Sequence, residues 1–169
     1  MRKLLLLLVT MLLMRPVLMA QDEKFKALFL YNFTKHIEWP SEKQGGEFVI
    51  GVLGKSPITK ELQTIAEKRV VGAGQKIDVH EMTLSDNFSD YHIIYITDKY
   101  SEHLESVINK TKGRGVLVIT DKEGLASLAS CINYVKVDGK QNFEICRRHV
   151  DSQGLKVSAQ LMMLGIQVD

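Results

Sequence analysis

Two identical tetrapeptides, Ile96-Thr97-Asp98-Lys99 and Ile119-Thr120-Asp121-Lys122, carry the carboxylates that are best placed for chemistry. Each follows an apolar run that predicts a buried strand. Open α/β sheets bind ligands outside the carboxyl ends of their strands, so Asp98 and Asp121 could flank a ligand crevice. The alternative is that each Asp, or the nearby Ser101, caps the helix that follows. We favour capping, because repeated local geometry is enough to explain repeated residues.

Residue patterns that hold a phosphate, a metal ion or a covalent intermediate are missing from the sequence. Gly51-Val52-Leu53-Gly54-Lys55-Ser56 lies between a predicted strand and a predicted helix, but a phosphate-binding loop requires a glycine where Val49 stands. The five histidines lack the i, i+4 spacing or Cys/His spacing that is typical of zinc sites. No Gly-x-Ser-x-Gly motif and no cysteine beside a plausible base is present. We therefore expect no catalytic residues, no metal and no cofactor.

The two cysteines, Cys131 and Cys146, are placed for a disulfide. Asp138-Gly139 predicts a two-residue hairpin turn, which makes Val137 face Lys140 and therefore makes Cys131 face Cys146. Facing residues have Cα atoms roughly 5 Å apart, a distance that a disulfide accepts, and an oxidising compartment favours the bond. The pair is of the hydrogen-bonded kind, so we expect some strain. Two interpretations stay open: a staple of the hairpin, which we favour, and a reducible switch.

The first twenty residues have the pattern of a secretory signal peptide. A positively charged start precedes an apolar run from Leu4 to Met14, and Leu18-Met19-Ala20 is a candidate cleavage point. A bilayer span needs about 20 apolar residues, so this run is too short for a membrane anchor. We predict a signal peptide over residues 1–20 and one exported domain over residues 21–169.

The charge balance of residues 21–169 argues against a nucleic-acid partner. These residues carry 19 Lys and Arg against 20 Asp and Glu, a net charge of −1, so the +2 of the whole chain comes from the leader. Binding to nucleic acid or to an anionic membrane depends on a basic surface. We therefore expect no nucleic-acid binding.

Apolar runs and helical stripes alternate along the middle of the chain, which predicts a three-layer α/β fold with a mostly parallel sheet and helices on both faces. The predicted strands are 48–53, 76–82, 92–96 and 116–119, and the predicted helices begin near Ser56, Ser101 and Leu125. An antiparallel hairpin of 132–137 and 141–145 follows. Two short helices separated by Gly154 end the chain, the second running through Ser158 to Leu164.

A stretch rich in aromatic residues, from Ala27 to Pro40, predicts an amphipathic helix that ends at Trp39-Pro40. A 100° helical projection places Phe25, Leu28, Phe29, Phe33 and Trp39 on one apolar side. Asn32 and His36 lie midway across that side, one turn apart. A buried polar group without a hydrogen bond costs about 1–3 kcal/mol. We therefore expect Asn32 to bond backbone groups of neighbouring loops.

This stretch resembles the signature of the YfiR family of exported bacterial proteins, through Ala27, Leu30, Tyr31, Asn32, Phe33, Glu38, Trp39 and Pro40. Later segments are also similar to the family: residues 48–54, Asn133-Tyr134-Val135, Phe143-Glu144-Ile145 and residues 154–158. The likeness covers essentially all of residues 21–169. His36 departs from the pattern, because the family more often has an apolar aromatic residue there.

The resemblance implies a non-catalytic periplasmic regulator, a homodimer whose stability depends on disulfide redox state. It implies binding to the periplasmic domain of an inner-membrane signalling protein of the diguanylate cyclase type, which lowers cyclic-di-GMP output. An outer-membrane lipoprotein that sequesters the regulator is a further implied partner. The alternative is a periplasmic small-ligand-binding module that feeds a sensor such as a histidine kinase. Met162, Met163 and Ile166 could serve an interface, although core packing is the favoured interpretation.

Overall fold

A computed structural model describes residues 15–169, with side chains from Gln21 onward. The strands, in chain order, are β1 Ile37–Glu38, β2 Phe48–Leu53, β3 Val70–Val71, β4 Gln75–Met82, β5 Ile93–Ile96, β6 Leu117–Thr120, β7 Ile132–Val137, β8 Lys140–Ile145, β9 Lys156–Val157 and β10 Ile166–Gln167. The α-helices are α1 Arg15–Phe33, α2 Ile58–Ala66, α3 Leu104–Thr111, α4 Leu125–Leu128, α5 Arg147–Ser152 and α6 Ala159–Leu164. Short 3-10 helices cover Ser41–Lys43, Phe88–Asp90 and Asp98–His103.

An eight-stranded sheet in the order β10-β8-β7-β6-β5-β2-β4-β3 forms the centre of the molecule. Its five middle strands, β7-β6-β5-β2-β4, run parallel to one another, and β3 is antiparallel to β4. The hairpin partner β8 is antiparallel to β7, and β10 adds a parallel strand beyond β8. Separately, β1 and β9 pair antiparallel. The predicted α/β fold with a mostly parallel sheet and a hairpin near the C-terminus is confirmed.

The central strands form where the chain is continuously apolar. Every side chain of β5 and β6 is buried, which is the pattern of parallel strands that are covered on both faces. Gly51 in β2 has a packing reason, because a Cβ atom there would lie 2.7 Å from the ring of Tyr91. The glycine therefore allows Tyr91 to close over the strand.

The β7–β8 hairpin has the predicted register, with Val137 opposite Lys140 and Ile132 opposite Ile145. Asp138 and Gly139 have φ angles of 51° and 74°, as a tight two-residue turn that follows the twist of the strands requires. The Cys146 N–H donates to the Cys131 carbonyl over 3.0 Å, so the two cysteines face each other as predicted. Both are buried free thiols in the structure, and the disulfide stays a prediction.

Helix α1 differs from the prediction in its end and in its buried face. It ends at Phe33, and Ala27, Leu30 and Phe33 are its fully buried residues, whereas Phe25 and Leu28 are about half exposed. The reason is that the chain beyond α1 is extended: in β1 Ile37 is buried and Glu38 is exposed. In the sequence, this alternation looked like a continuation of the apolar stripe of the helix. Including these extended residues in the helical projection therefore placed the predicted apolar face away from the residues that are buried.

Asn32 on α1 and His36, three residues beyond its end, are both partly exposed. The bond that we predicted from Asn32 to backbone groups of neighbouring loops is not found among the described residues. Among the described residues, the Asn32 Oδ1 atom accepts a hydrogen bond from Lys35 Nζ at 3.2 Å. The His36 Nδ1 atom lies 3.3 Å from the Ser158 hydroxyl. The His36 carbonyl accepts from the Ser158 N–H at 2.9 Å, next to the β1–β9 pair. Asn32 is therefore a surface residue, and His36 belongs to the junction with β9.

A buried histidine, His92, joins the segment before β2 to the start of β5. Its Nδ1 atom accepts from the Val49 N–H at 3.1 Å. Its Nε2 atom lies 2.8 Å from the Lys43 carbonyl, which can only accept, so Nε2 carries the proton. The ring is therefore neutral. Burial lowers the pKa of His92 below its ordinary value of 6.5. The hydrogen bond to the Lys43 carbonyl opposes this shift by raising the pKa, and the nearby Lys43 ammonium lowers the pKa further.

Two surface features complete the fold. Strand β3 covers only Gln75 and Lys76, so the rest of β4 is an open sheet edge that carries Asp78, His80 and Glu81. At the chain end, α6 buries Met162 and exposes its neighbours Met163 and Leu164. Within residues 15–169, no helix combines the length and apolar character needed to cross a bilayer.

Candidate functional site

Asp121 lies at the centre of a cluster of charged and phenolic groups built by three elements. Its Oδ2 atom accepts from Lys26 Nζ at 2.5 Å and from the Tyr95 hydroxyl at 2.8 Å. Lys26 comes from α1, Tyr95 from β5, and Asp121 directly follows β6. Lys26 also donates to Glu23 Oε1 at 3.0 Å, one turn earlier on α1. The cluster therefore fixes the middle of α1 against the carboxyl ends of β5 and β6.

Two groups of this cluster, Lys26 and Tyr95, have raised pKa values. Burial by itself lowers the pKa of Lys26, but its hydrogen bonds and attraction to Asp121 and Glu23 outweigh burial and raise the pKa above 10.5. Burial, followed by the Asp121 charge, raises the pKa of Tyr95. Lys26 is a charged donor and Tyr95 a neutral donor. Lys26 and Tyr95 are therefore poised as hydrogen-bond donors near pH 7 and not as proton-exchanging groups.

A second polar group, Asn133 on β7, is fully buried beside the same strand ends. Its Oδ1 atom accepts from the Thr120 hydroxyl at 2.8 Å and from the Lys122 N–H at 3.2 Å. Its Nδ2 atom donates to Glu144 Oε2 at 3.0 Å. Asn133 thus fastens the loop after β6 to the hairpin and holds Asp121 in position.

Asp98 is placed differently from Asp121 although its tetrapeptide is identical. It is exposed and lies 3.4 Å from Lys122 Nζ. At the end of β5, the Thr97 hydroxyl donates to the Leu53 carbonyl and the Tyr100 ring covers Gly54. The favoured capping role is wrong for Asp98, since no side chain caps the 3-10 helix that begins there.

Capping is also wrong for Asp121, which bonds Lys26 and Tyr95, and the cap residue Gly124 precedes α4. The hydroxyl of Ser101 accepts from Lys122 Nζ at 3.1 Å. Lys122 therefore links the Asp98 region to the loop after β6, but the structure does not unite the two carboxylates in one crevice.

Asp121 instead lines a cavity of about 530 Å³ between the middle of α1, the loop after β6 and the β7–β8 hairpin. We call this the α1–hairpin cavity. Its lining combines acidic, basic and apolar side chains, namely Asp22, Glu23, Lys26, Asp121, Lys122, Glu123, Tyr134, Val135, Lys136, Val137, Gln141, Glu144 and Ile166. Asp98 is not part of the lining. Among residues 15–169, no three His, Cys, Asp or Glu side chains are grouped to hold a metal ion.

The family-signature residues join elements of the fold. Phe33 packs on the rings of Tyr134 and Phe143, at 6.2 and 5.0 Å between ring centroids. The Tyr31 hydroxyl donates to the Val70 carbonyl at 3.4 Å. These contacts join α1 to the β7–β8 hairpin and, through Val70, to β3.

The second half of the signature fixes the chain as it leaves α1. Trp39 packs on Phe48 and donates from Nε1 to the His92 carbonyl at 3.3 Å. Glu38 pairs with Lys156 at 3.0 Å across the small sheet. The Pro40 carbonyl accepts from the Lys43 N–H at 2.9 Å as the first 3-10 turn begins.

Three residues that build the surroundings of Asp121 were missed in the sequence, namely Lys26, Tyr95 and Asn133. Lys26 had one signal: it stands four residues before the buried Leu30 and beside Ala27, on the buried side of α1. Tyr95 and Asn133 resembled ordinary strand residues, and their polar contacts depend on which strands are neighbours. No short-range pattern contains that information.

Comparison with known proteins identifies the family. The model of a family described as YfiR/HmsC-like matches residues 23–166. No curated protein matches the sequence with significance. The match begins within α1, includes β1 to β9 with the hairpin and the C-terminal helices, and ends at Ile166, the first residue of β10. The chain belongs to the YfiR/HmsC-like family.

Proposed function

We propose that the protein is exported to the periplasm and represses a membrane diguanylate cyclase by binding its periplasmic sensor domain. Membership of the YfiR/HmsC-like family is the observation that carries this proposal. The proposal includes a homodimer and a second, outer-membrane lipoprotein partner that sequesters the regulator. Both are implied by the resemblance of the signature from Ala27 to Pro40.

The chemistry of the cluster around Asp121 supports binding rather than turnover. Its lysine stays charged and its tyrosine stays neutral across the physiological range, because both pKa values are raised. The strongest contacts of the cluster are internal and hold α1 on the sheet. Repression by contact needs a stable surface, and this arrangement supplies one.

The C-terminal apolar surface, defined as Met163, Leu164 and Ile166, is the surface that we assign to the partner. The exposed fractions of these side chains are 77%, 61% and 39%. The favoured prediction of core packing is correct for Met162 and wrong for Met163 and Ile166. Burying an exposed apolar side chain is worth about 1.5–3 kcal/mol, so three neighbouring ones favour contact with another protein.

The test measures cyclic-di-GMP in the cells that make the protein. Deleting the gene is expected to raise cyclic-di-GMP, and restoring the wild-type gene is expected to lower it again. A Met163→Asp/Leu164→Asp variant should stay folded and fail to restore repression. The matched control is Leu128→Asp, because Leu128 is also 72% exposed but lies away from the C-terminal segment in the sequence.

Two outcomes would contradict the proposal. If the cyclic-di-GMP level does not change after the gene is deleted, the protein does not repress a diguanylate cyclase. If the Met163→Asp/Leu164→Asp variant and the Leu128→Asp variant repress equally well, the C-terminal apolar surface is not the contact with the partner. Co-purification of an identified cyclase sensor domain with wild type but not with the double variant supports both.

A further inference from the structure

The α1–hairpin cavity has more carboxylates than cations. Five carboxylate side chains and three lysines line it. Each lysine is already paired with a carboxylate: Lys26 with Glu23 and Asp121, Lys122 with Asp98, and Lys136 with Asp22 at 2.6 Å. The carboxylates of the lining thus outnumber its lysines by two. The electrostatic character of the cavity therefore favours a cation.

The hydrogen-bonding capacity left in the cavity is also that of an acceptor. The Tyr134 hydroxyl is already used, since it donates to the Lys26 carbonyl at 2.7 Å. In contrast, Glu23 Oε2 and Gln141 Oε1 are shielded from solvent and have no partner among the residues that the structure describes. An unpartnered buried acceptor costs about 1–3 kcal/mol, so a ligand that donates N–H groups is favoured over one that accepts them.

The rest of the lining is apolar and the volume suits a small molecule. Val135, Val137, Ile166 and the ring of Tyr134 contribute carbon surface to the wall. Small-molecule sites commonly have volumes of about 300–1,000 Å³, and the cavity has about 530 Å³. A bare metal ion fits less well, because within residues 15–169 no three suitable side chains converge on one point.

We propose that the α1–hairpin cavity binds a short aliphatic amine. Its ammonium group is held by carboxylates that include Glu23 and Glu123, and its carbon chain lies against Val135 and Val137. This goes beyond repression by protein contact, since it gives the molecule a small-molecule site. Ile166 belongs both to the cavity wall and to the C-terminal apolar surface. An amine in the cavity therefore contacts the edge of the surface that we assign to the partner.

The test is calorimetric titration of the full exported chain with 1,5-diaminopentane at pH 7. Matched probes are 1,5-pentanediol, which keeps the carbon chain without charge, and glutarate, which reverses the charge. Saturable binding of the diamine is expected, at least tenfold tighter than binding of the diol, with no binding of glutarate. Higher salt should weaken the diamine, because the attraction is between charges near the surface.

Variants separate the cavity from general surface charge. Glu123→Gln should weaken the diamine several-fold without loss of folding, because Glu123 is exposed and outside the Lys26 cluster. Glu23→Gln should weaken it further, and Glu105→Gln on α3 is the control for the same chemical change elsewhere. The proposal is overturned by no saturable binding up to about 10 mM, by equal binding of diol and diamine, or by equal affinities of Glu123→Gln and Glu105→Gln.

Discussion

At the scale of single residues, the Lys26–Asp121 pair has the largest energetic consequence. The Lys26 side chain is 9% exposed and bonds two carboxylates and, through Asp121, a buried tyrosine. Removing one partner of a buried pair costs about 3–5 kcal/mol, because the other charge is left without compensation. The pair therefore acts as a lock between α1 and the sheet.

We expect Lys26→Met to lower the free energy of unfolding by about 3 kcal/mol, measured by urea denaturation. Lys136→Met is the matched control, because Lys136 forms a more exposed pair with Asp22 and should lose less than about 1 kcal/mol. The double variant Lys26→Met/Asp121→Leu should recover part of the loss. Equal losses for Lys26→Met and Lys136→Met would show that the cluster is not a lock.

His92 makes the fold sensitive to acid. Because its folded pKa lies below 6.5, the unfolded chain binds the proton more readily than the folded chain. The stability that neutral His92 contributes is fully present above about pH 6.5 and is lost as the pH falls towards the folded pKa. Protonation would also break the bond from the Val49 N–H and place a cation near the Lys43 ammonium, with Glu42 and Asp90 as the nearby acids.

We expect the free energy of unfolding to fall between pH 7 and pH 5, by at most about 1.4 kcal/mol per pH unit from this group. His92→Gln should reduce that slope, while His80→Gln should keep it, because His80 is about half exposed beside Asp78. The measurement is urea unfolding at three pH values. A His92→Gln profile parallel to that of the wild type would assign the acid sensitivity to other groups.

Asn133 is the buried asparagine of this fold, and Asn32 is not. Asn133→Leu leaves the Thr120 hydroxyl, the Lys122 N–H and Glu144 without their partner, which should cost about 2–3 kcal/mol. Asn32→Leu should change stability by less than about 0.5 kcal/mol, since its described bond is to an exposed lysine. Thermal unfolding of both variants compares them directly. A larger loss for Asn32→Leu would restore the buried role that the helical projection predicted.

At the scale of elements, the predicted disulfide between Cys131 and Cys146 would join the two ends of the β7–β8 hairpin. Facing buried cysteines close a loop of about 15 residues, and a disulfide between them would contribute roughly 3 kcal/mol on the chain-entropy model. Burial raises the pKa of the Cys131 thiol to about 12, so very little thiolate forms in the folded protein. Exchange in the native state should therefore be slow in either direction.

We expect the exported protein to be two hydrogens lighter under non-reducing conditions than after reduction, by intact-mass analysis. Dithiothreitol should reduce it slowly in buffer and quickly in urea, because exchange requires thiolate access. Rapid reduction of the folded protein would favour a switch over a staple. Two free thiols after export would remove the disulfide altogether.

The sequence predicted those elements whose determinants are local. Apolar runs located β2, β5, β6 and the hairpin, because a buried parallel strand needs side chains that are apolar on both faces. The pair of two-residue strands β1 and β9 could not be predicted, since Ile37 meets Val157 only through the tertiary fold. The different surroundings of Asp98 and Asp121 could not be predicted for the same reason. Tyr100 packs near the end of β5, whereas Lys26 bonds Asp121 after β6, and both contacts depend on the tertiary fold.

At the scale of the whole molecule, the proposed partner surface and the proposed amine site lie beside the same hairpin. The C-terminal apolar surface consists of the last two residues of α6 and the first residue of β10, and β10 pairs with β8 on the hairpin. The α1–hairpin cavity opens beside the same hairpin and shares Ile166. A change in the hairpin is therefore able to reach both the amine site and the protein contact.

The open edge of β4 bears on how the protein behaves at high concentration. Unpaired strand edges invite a second chain to add its own strand, which leads to aggregation. On β4 that edge carries Asp78, His80 and Glu81 instead of a flat apolar row. A like-charged second copy is repelled there, and a strand that did pair would bury carboxylates. At high concentration the chain should therefore not aggregate through this edge. Its contacts with other proteins should depend on side chains and not on backbone pairing at β4.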